Sequence, residues 1–113
     1  MFDFLHKKAQ DATPPALPEG TVRRRYSIEG QVQGVGFRYY VSYTARGLGL
    51  TGWVRNREDG DVEMEVQGDE GPVEEFVQAV SRGPRYAIVE DMERHPLIPE
   101  PGERSFHERG SLW

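Results

Sequence analysis

Two hydrophobic periodicities alternate along this chain, and their order limits the folds open to it more than any single motif does. "TVRRRYSIEG" places Val22, Arg24, Tyr26 and Ile28 on one side and Arg23, Arg25 and Ser27 on the other, the period of a strand. "FRYYVSYTARGLG" then spaces Phe37, Tyr40, Val41, Thr44, Ala45 and Leu48 as one face of a helix, with Gly49 as its stop. "LTGWVRN" and "DVEMEVQG" return to the strand period, joined by the turn sequence "REDG". In the second of these strands Val62, Met64 and Val66 point inward, and Glu63 and Glu65 point outward.

A second helix follows in "DEGPVEEFVQAVSRG". Pro72 suits the first helical position, Glu74 and Glu75 suit the positive end of the helix dipole, and Val73, Phe76, Val77 and Val80 form the buried stripe. Gly83-Pro84 closes it. "YAIVEDMER" reads as a strand, "HPLIPEPGE" as a proline-broken loop, and "RSFHERG" as a short last strand.

Strand, helix, strand, strand, helix, strand is two split β–α–β units. This predicts an α+β, ferredoxin-like βαββαβ sandwich: an antiparallel sheet of four or five strands with two helices on one face. The 113 residues suit one domain with its own core. Residues 1–20, containing "DATPPALPEG", read as a flexible tail ahead of a domain spanning 21–113.

Composition removes several functions. The chain has no cysteine, so a disulfide framework, a thiolate metal site and a cysteine nucleophile are all excluded. No apolar run approaches the roughly 20 residues of a membrane span. The start, "MFDFLHKKAQDA", lacks the apolar stretch of a secretory signal, and the expectation is a cytoplasmic protein. His6, His95 and His107 are scattered, against the close spacing of a zinc site or a histidine phosphoenzyme. Asp59 and Asp61 flank Gly60 without calcium-loop spacing and read as turn residues.

Charge is unevenly placed. The net charge is −5, yet no Asp or Glu occurs from Gln31 to Arg57, while Arg38, Arg46, Arg55 and Arg57 do. A local cationic window in an acidic protein points to a small anion rather than to nucleic acid, which wants a broad basic face. At the start of this window "EGQVQGVGFRYY", from Glu29 to Tyr40, runs from a strand through Gly30, Gly34 and Gly36 into a helix. Strand, glycine loop and helix start together form a cradle for phosphate: free main-chain amides face the ligand, and the dipole favours negative charge. Arg38 falls in the first helical turn, where its charged fork can close the cradle. The dinucleotide fingerprint fails because Tyr39 stands where its third glycine belongs, and the P-loop fails because no Gly-Lys-Ser/Thr is present.

"GQVQGVGFR" at Gly30 to Arg38 and "GLTGWVRN" at Gly49 to Asn56 resemble the acylphosphatase family, whose pattern is G-x-V-Q-G-V-x-F-R followed by G-x-x-G-W-V-x-N. The resemblance covers about Arg24 to Val89. It implies that Arg38 grips the phosphate of an acyl phosphate. It implies further that Gln31, Val32, Gln33, Gly34 and Val35 cradle it with main-chain amides, and that Asn56 orients the attacking water. The implied reaction is metal-independent hydrolysis of a carboxyl–phosphate bond, without cofactor, giving inorganic phosphate. The expectation is a monomer with no nucleic-acid or membrane partner. Two departures stand out. Gln31 is neutral where the family commonly carries a base, and Glu108 occupies a place in Phe106-His107-Glu108-Arg109 where an aliphatic belongs. Two alternatives remain open. One is the carbamoyl-phosphate-handling domain of hydrogenase maturation proteins, which shares G-V-G-F-R within a much longer chain. The other is a ferredoxin-like RNA-binding module, against which the acidic "DVEMEVQG" strand speaks.

Overall fold

The structure is a computed structural model and describes residues 16–34 and 36–110. Most of the segment expected to be a tail, residues 1–15, therefore lies outside the described residues, as does Val35 of the glycine loop. The elements are β1 (Thr21–Gln31), α1 (Phe37–Gly47), β2 (Thr51–Asn56), β3 (Val62–Asp69), α2 (Glu70–Arg82), β4 (Ile88–Leu97) and β5 (Phe106–Arg109). They form one five-stranded sheet in the order β4-β1-β3-β2-β5, with the helices packed on it.

The helix-facing side of the sheet is apolar because the strand alternation holds. Tyr26 lies opposite Met64, Ile28 opposite Val62, and Val54 opposite Met64. These residues meet Phe37, Val41 and Ala45 of α1 and Val73, Phe76 and Val80 of α2 in one core. Phe76 and Phe106 sit with ring centroids 6.1 Å apart, so the last strand reaches the same core. Full burial of a phenylalanine contributes roughly 1.5–3 kcal/mol, which adds to the pairing with β2 in holding a strand of only four residues.

The sheet is mixed rather than antiparallel, which corrects the sequence expectation: β5 pairs parallel to β2, with Phe106 opposite Gly52 and Glu108 opposite Val54. The cause is the route of residues 98–105. The chain leaves β4 at one edge, crosses the open face of the sheet and arrives at the other edge running with β2. Buried Arg23 holds this crossing. It is hydrogen bonded to Glu65 and Gln67 of β3 and to Glu103 of the crossing segment, and Gln67 in turn clamps the main chain of Glu100 at 2.7 and 2.9 Å. Burial opposes the Arg23 charge, yet the hydrogen bonds that it donates to Glu103 and Glu65 carry its pKa above the usual arginine value.

Arg24, on the core side of β1, ion-pairs with Glu70 and Glu74 in the first turns of α2. Three further expectations shift. Glu63 does point away from the core, but Arg25 and Arg55 close over it and leave it 1 % exposed. The proline-broken loop begins later than predicted, because β4 runs on through Pro96 to Leu97. An edge strand tolerates a proline because only one side needs its amides, and among the described residues β4 pairs with β1 alone. In α2, Pro72 is the third residue rather than the first, still within the turn whose amides have no intrahelical partner.

Candidate phosphate site

The loop after β1 turns sharply into α1 through two glycines in left-handed conformation, Gly34 at φ 74° and Gly36 at φ 76°. A side chain would strain either position. Gly36 is the N-terminal cap of α1, no side chain caps the helix there, and its first turn carries no acid. The first amides of α1 are thus left for a ligand, and the dipole is not offset. Among the described residues, no hydrogen bond occupies the amides of Gln33, Gly34 or Gly36. Gly30 serves a different purpose: it lies at a register shift in the β1–β4 pairing, where a Cβ would collide with the carbonyl of Ile88.

In front of the helix start lies a cleft of about 190 Å³ lined by Val32, Gly34, Gly36, Phe37, Arg38, Tyr39, Asn56 and Glu108. Arg38 is half-buried, and its Nη1 donates to the main-chain carbonyl of Arg109 at 3.0 Å. No carboxylate pairs with it among the described residues. The other arginines of the acid-free window are engaged elsewhere: Arg55 with Glu63, Arg57 with Asp59, and Arg46 with the carbonyl of Phe106. Acids just beyond the window neutralise two of its arginines, so its positive charge at the cleft reduces to Arg38.

Asn56 ends β2 beside the β2–β3 turn. Its Oδ1 is buried and without a hydrogen-bond partner among the described residues. A buried acceptor left open costs roughly 1–3 kcal/mol, which a bound water or substrate would restore.

Of the residues that the sequence places at the cradle, Val32, Gly34, Arg38 and Asn56 come together around the cleft. Gln31 does not line it; it is the exposed last residue of β1, paired with Ile88. Gln33 does not line it either. Its side-chain amide donates to the carbonyls of Arg57 and Asp61 at 2.8 and 2.9 Å, tying the loop to the β2–β3 turn that carries Asn56. Val35 lies outside the described residues. Tyr39 and Glu108 line the cleft without having been singled out by the motifs as site residues. The signal for Glu108 was its place where an aliphatic belongs in the last strand; that this place faces the cleft becomes legible only once β5 is set beside β2.

A ferredoxin-like sandwich with a glycine loop, an open helix start and an Arg38 without a carboxylate partner among the described residues fits the class of small α+β domains suited to phosphate. Comparison with known proteins narrows this. The acylphosphatase family model matches residues 24–108. The chain is 40 % identical over 106 residues to an acylphosphatase of Koribacter versatilis, covering 89 % of this chain and 96 % of that one. Its fold superposes on the crystal structure of acylphosphatase from Bacillus subtilis with a TM-score of 0.75 at 38 % identity, covering 78 % of this chain and 98 % of that one. It also matches full-length HypF in the phosphate- and nucleotide-bound form, with a TM-score of 0.75 at 27 % identity, over 84 % of this chain and 12 % of that one. The chain belongs to the acylphosphatase family.

Proposed function

We propose that this chain hydrolyses acyl phosphates to a carboxylate and inorganic phosphate, with Arg38 and Asn56 as its working pair. The observation that supports the assignment of residues is their convergence: among the described residues Arg38 has no carboxylate partner and Asn56 has a buried, unpartnered Oδ1, and both residues line one cleft at an uncapped helix start.

An acyl phosphate is a mixed anhydride, and its carboxylate leaves readily. The reaction therefore needs positioning and charge stabilisation more than covalent help. The loop amides and the dipole of α1 bind the phosphoryl oxygens, and Arg38 adds a charge that persists at every physiological pH. Asn56 Oδ1 accepts a hydrogen bond from a water and holds it towards phosphorus. The water oxygen bonds to phosphorus as the bond from phosphorus to the acyl oxygen breaks. The electron pair leaves with the carboxylate, and the water proton passes to the phosphate product or to solvent. Among the described residues no cluster of His, Asp and Glu is placed to hold a metal, and no step in this scheme calls for one.

The test is phosphate release from benzoyl phosphate in the presence of a chelator. Activity that vanishes with the chelator and returns with a divalent metal would contradict the scheme; no activity under any condition would overturn the function. Carbamoyl phosphate, the substrate of the alternative that the G-V-G-F-R signature left open, is the second substrate to assay, with the identities to the Koribacter and Bacillus acylphosphatases favouring simple acyl phosphates. No helix among the described residues is long and apolar enough to cross a membrane. The reading is completed by a cytoplasmic monomer, which suits a cleft built from a single chain and a small diffusing substrate; sedimentation would test the monomer.

A further inference from the structure

Glu108 is a carboxylate in the wall of a cleft otherwise suited to an anion. Its place follows from register. Glu108 lies opposite Val54 in the parallel β2–β5 pair, and Asn56 follows Val54 by two residues on the same face of the sheet. Glu108 and Asn56 are thus diagonal neighbours on the side that carries the cleft, and both line it. Among the described residues the Glu108 side chain takes part in no ion pair or hydrogen bond, and it is exposed. The next residue does not neutralise it. The Arg109 side chain turns to the other face, where its guanidinium lies 4.7 Å over the ring of Trp53, while its carbonyl holds Arg38.

We propose, resting on the acyl phosphate reading, that Glu108 sets the charge preference of the acyl group: it rejects substrates whose acyl part carries its own negative charge and admits neutral or cationic ones. The phosphoryl group is held at the helix start by Arg38 and the loop amides, so the acyl part must pass the cleft wall. Repulsion between Glu108 and the phosphoryl group is common to all acyl phosphates and discriminates among none. A second negative charge on the acyl part meets Glu108 separately, and that difference is what specificity measures. Gln31, at the end of β1 just before Val32, adds no positive charge to offset it.

The experiment compares kcat/KM for benzoyl phosphate and para-carboxybenzoyl phosphate in the wild type, Glu108→Gln and Glu108→Asp. In parallel, NMR titration measures the affinities of benzylphosphonate and para-carboxybenzylphosphonate, which cannot be hydrolysed in this way. The wild type is expected to favour the neutral member of each pair by about tenfold. Glu108→Gln is expected to bring the ratio near unity and Glu108→Asp to keep it. The wild-type preference should shrink as salt is added, which a purely steric effect would not do. Equal ratios in wild type and Glu108→Gln, or a ratio indifferent to salt, would overturn the proposal. So would loss of both hydrolyses in Glu108→Gln with phosphonate binding intact, since Glu108 would then act on the chemistry. If benzoyl phosphate is not hydrolysed at all while the phosphonate preference is present and is lost in Glu108→Gln, the acyl phosphate function falls and the charge selection by Glu108 stands. If neither phosphonate binds, the selection falls as well.

Discussion

Arg38 and Arg109 are joined across 71 residues of sequence by a single hydrogen bond, from the guanidinium Nη1 of the first to the main-chain carbonyl of the second, at 3.0 Å. The chemistry of the acceptor matters. A carboxylate in that position would orient the arginine and also cancel its charge. A carbonyl orients it and leaves nearly the whole charge for a ligand. The same helix spends a second arginine on the same strand, with Arg46 Nε donating to the carbonyl of Phe106 at 3.0 Å. The last strand is therefore a part of the site's geometry, although it is only four residues long.

Arg38→Ala should lower kcat/KM for benzoyl phosphate by ~100- to 1000-fold, the usual cost of removing one preorganised donor. Arg38→Lys should recover little of this, because an ammonium cannot hold the Arg109 carbonyl and a phosphoryl oxygen in one planar fork. Thermal melts should shift little, as only one half-buried hydrogen bond is lost. Near-full activity of Arg38→Lys in a steady-state assay would show that the fork is not what the site uses.

Asn56→Ala should separate activity from stability. The open Oδ1 is a buried acceptor without a partner among the described residues. Its removal should lower kcat by ~100-fold, yet leave the urea midpoint unchanged or slightly raised, since an unsatisfied polar atom has been deleted. Affinity for inorganic phosphate should persist, because the loop amides and Arg38 are untouched. A variant with wild-type kcat would remove Asn56 from the water-positioning role.

Most of the fold was legible in the sequence because it rests on local periodicity: each of the seven elements appears where its pattern of apolar residues predicts it, within a few residues. What escaped depends on contacts far apart in sequence. The parallel pairing of β5 follows from a crossing segment held by Arg23 and Gln67, and neither residue's motif announces that partner. Burial of Glu63 likewise depends on Arg25 and Arg55 arriving from two other strands. At the candidate site, the places of Arg38 and Asn56 on the cleft were legible because each sits at a secondary-structure boundary with motif residues around it. The side chain of Gln33 was not, because its partners, Arg57 and Asp61, lie across the turn.

The glycines divide by physical role, and alanine substitution should tell them apart. At Gly52, with φ 138°, a Cβ would meet the carbonyl of Glu65 on the paired strand. Gly52→Ala should therefore cost about 3 kcal/mol or more and lower activity only through unfolding. At Gly34, with φ 74°, nothing lies within 4 Å of the added carbon. Gly34→Ala should cost about 1 kcal/mol from backbone strain alone, and lower kcat/KM well beyond that loss by turning the cradle amides. Denaturant curves paired with kinetics on the folded protein distinguish the two cases; equal stability losses would contradict this division.

Arg23 offers the sharpest test of what holds β5 in place. It is 2 % exposed and bonds to Glu65, Gln67 and Glu103 at 2.8–3.2 Å, so Arg23→Ala leaves two part-buried carboxylates without their donor, while Gln67 Oε1 keeps the amide of Glu100. Breaking one side of such a buried network costs about 3–5 kcal/mol, and partial exposure of Glu65 and Glu103 puts the expectation at the lower end. The cost lies mainly in the orphaned acids rather than in the lost attraction. The combined replacement Arg23→Met with Glu65→Leu and Glu103→Gln should accordingly recover most of the stability that Arg23→Ala loses. Urea unfolding of the three proteins measures this directly. If the triple variant is no more stable than Arg23→Ala, the crossing segment is held by the ion pairs themselves, and the arginine, rather than the burial of its surroundings, keeps β5 against β2.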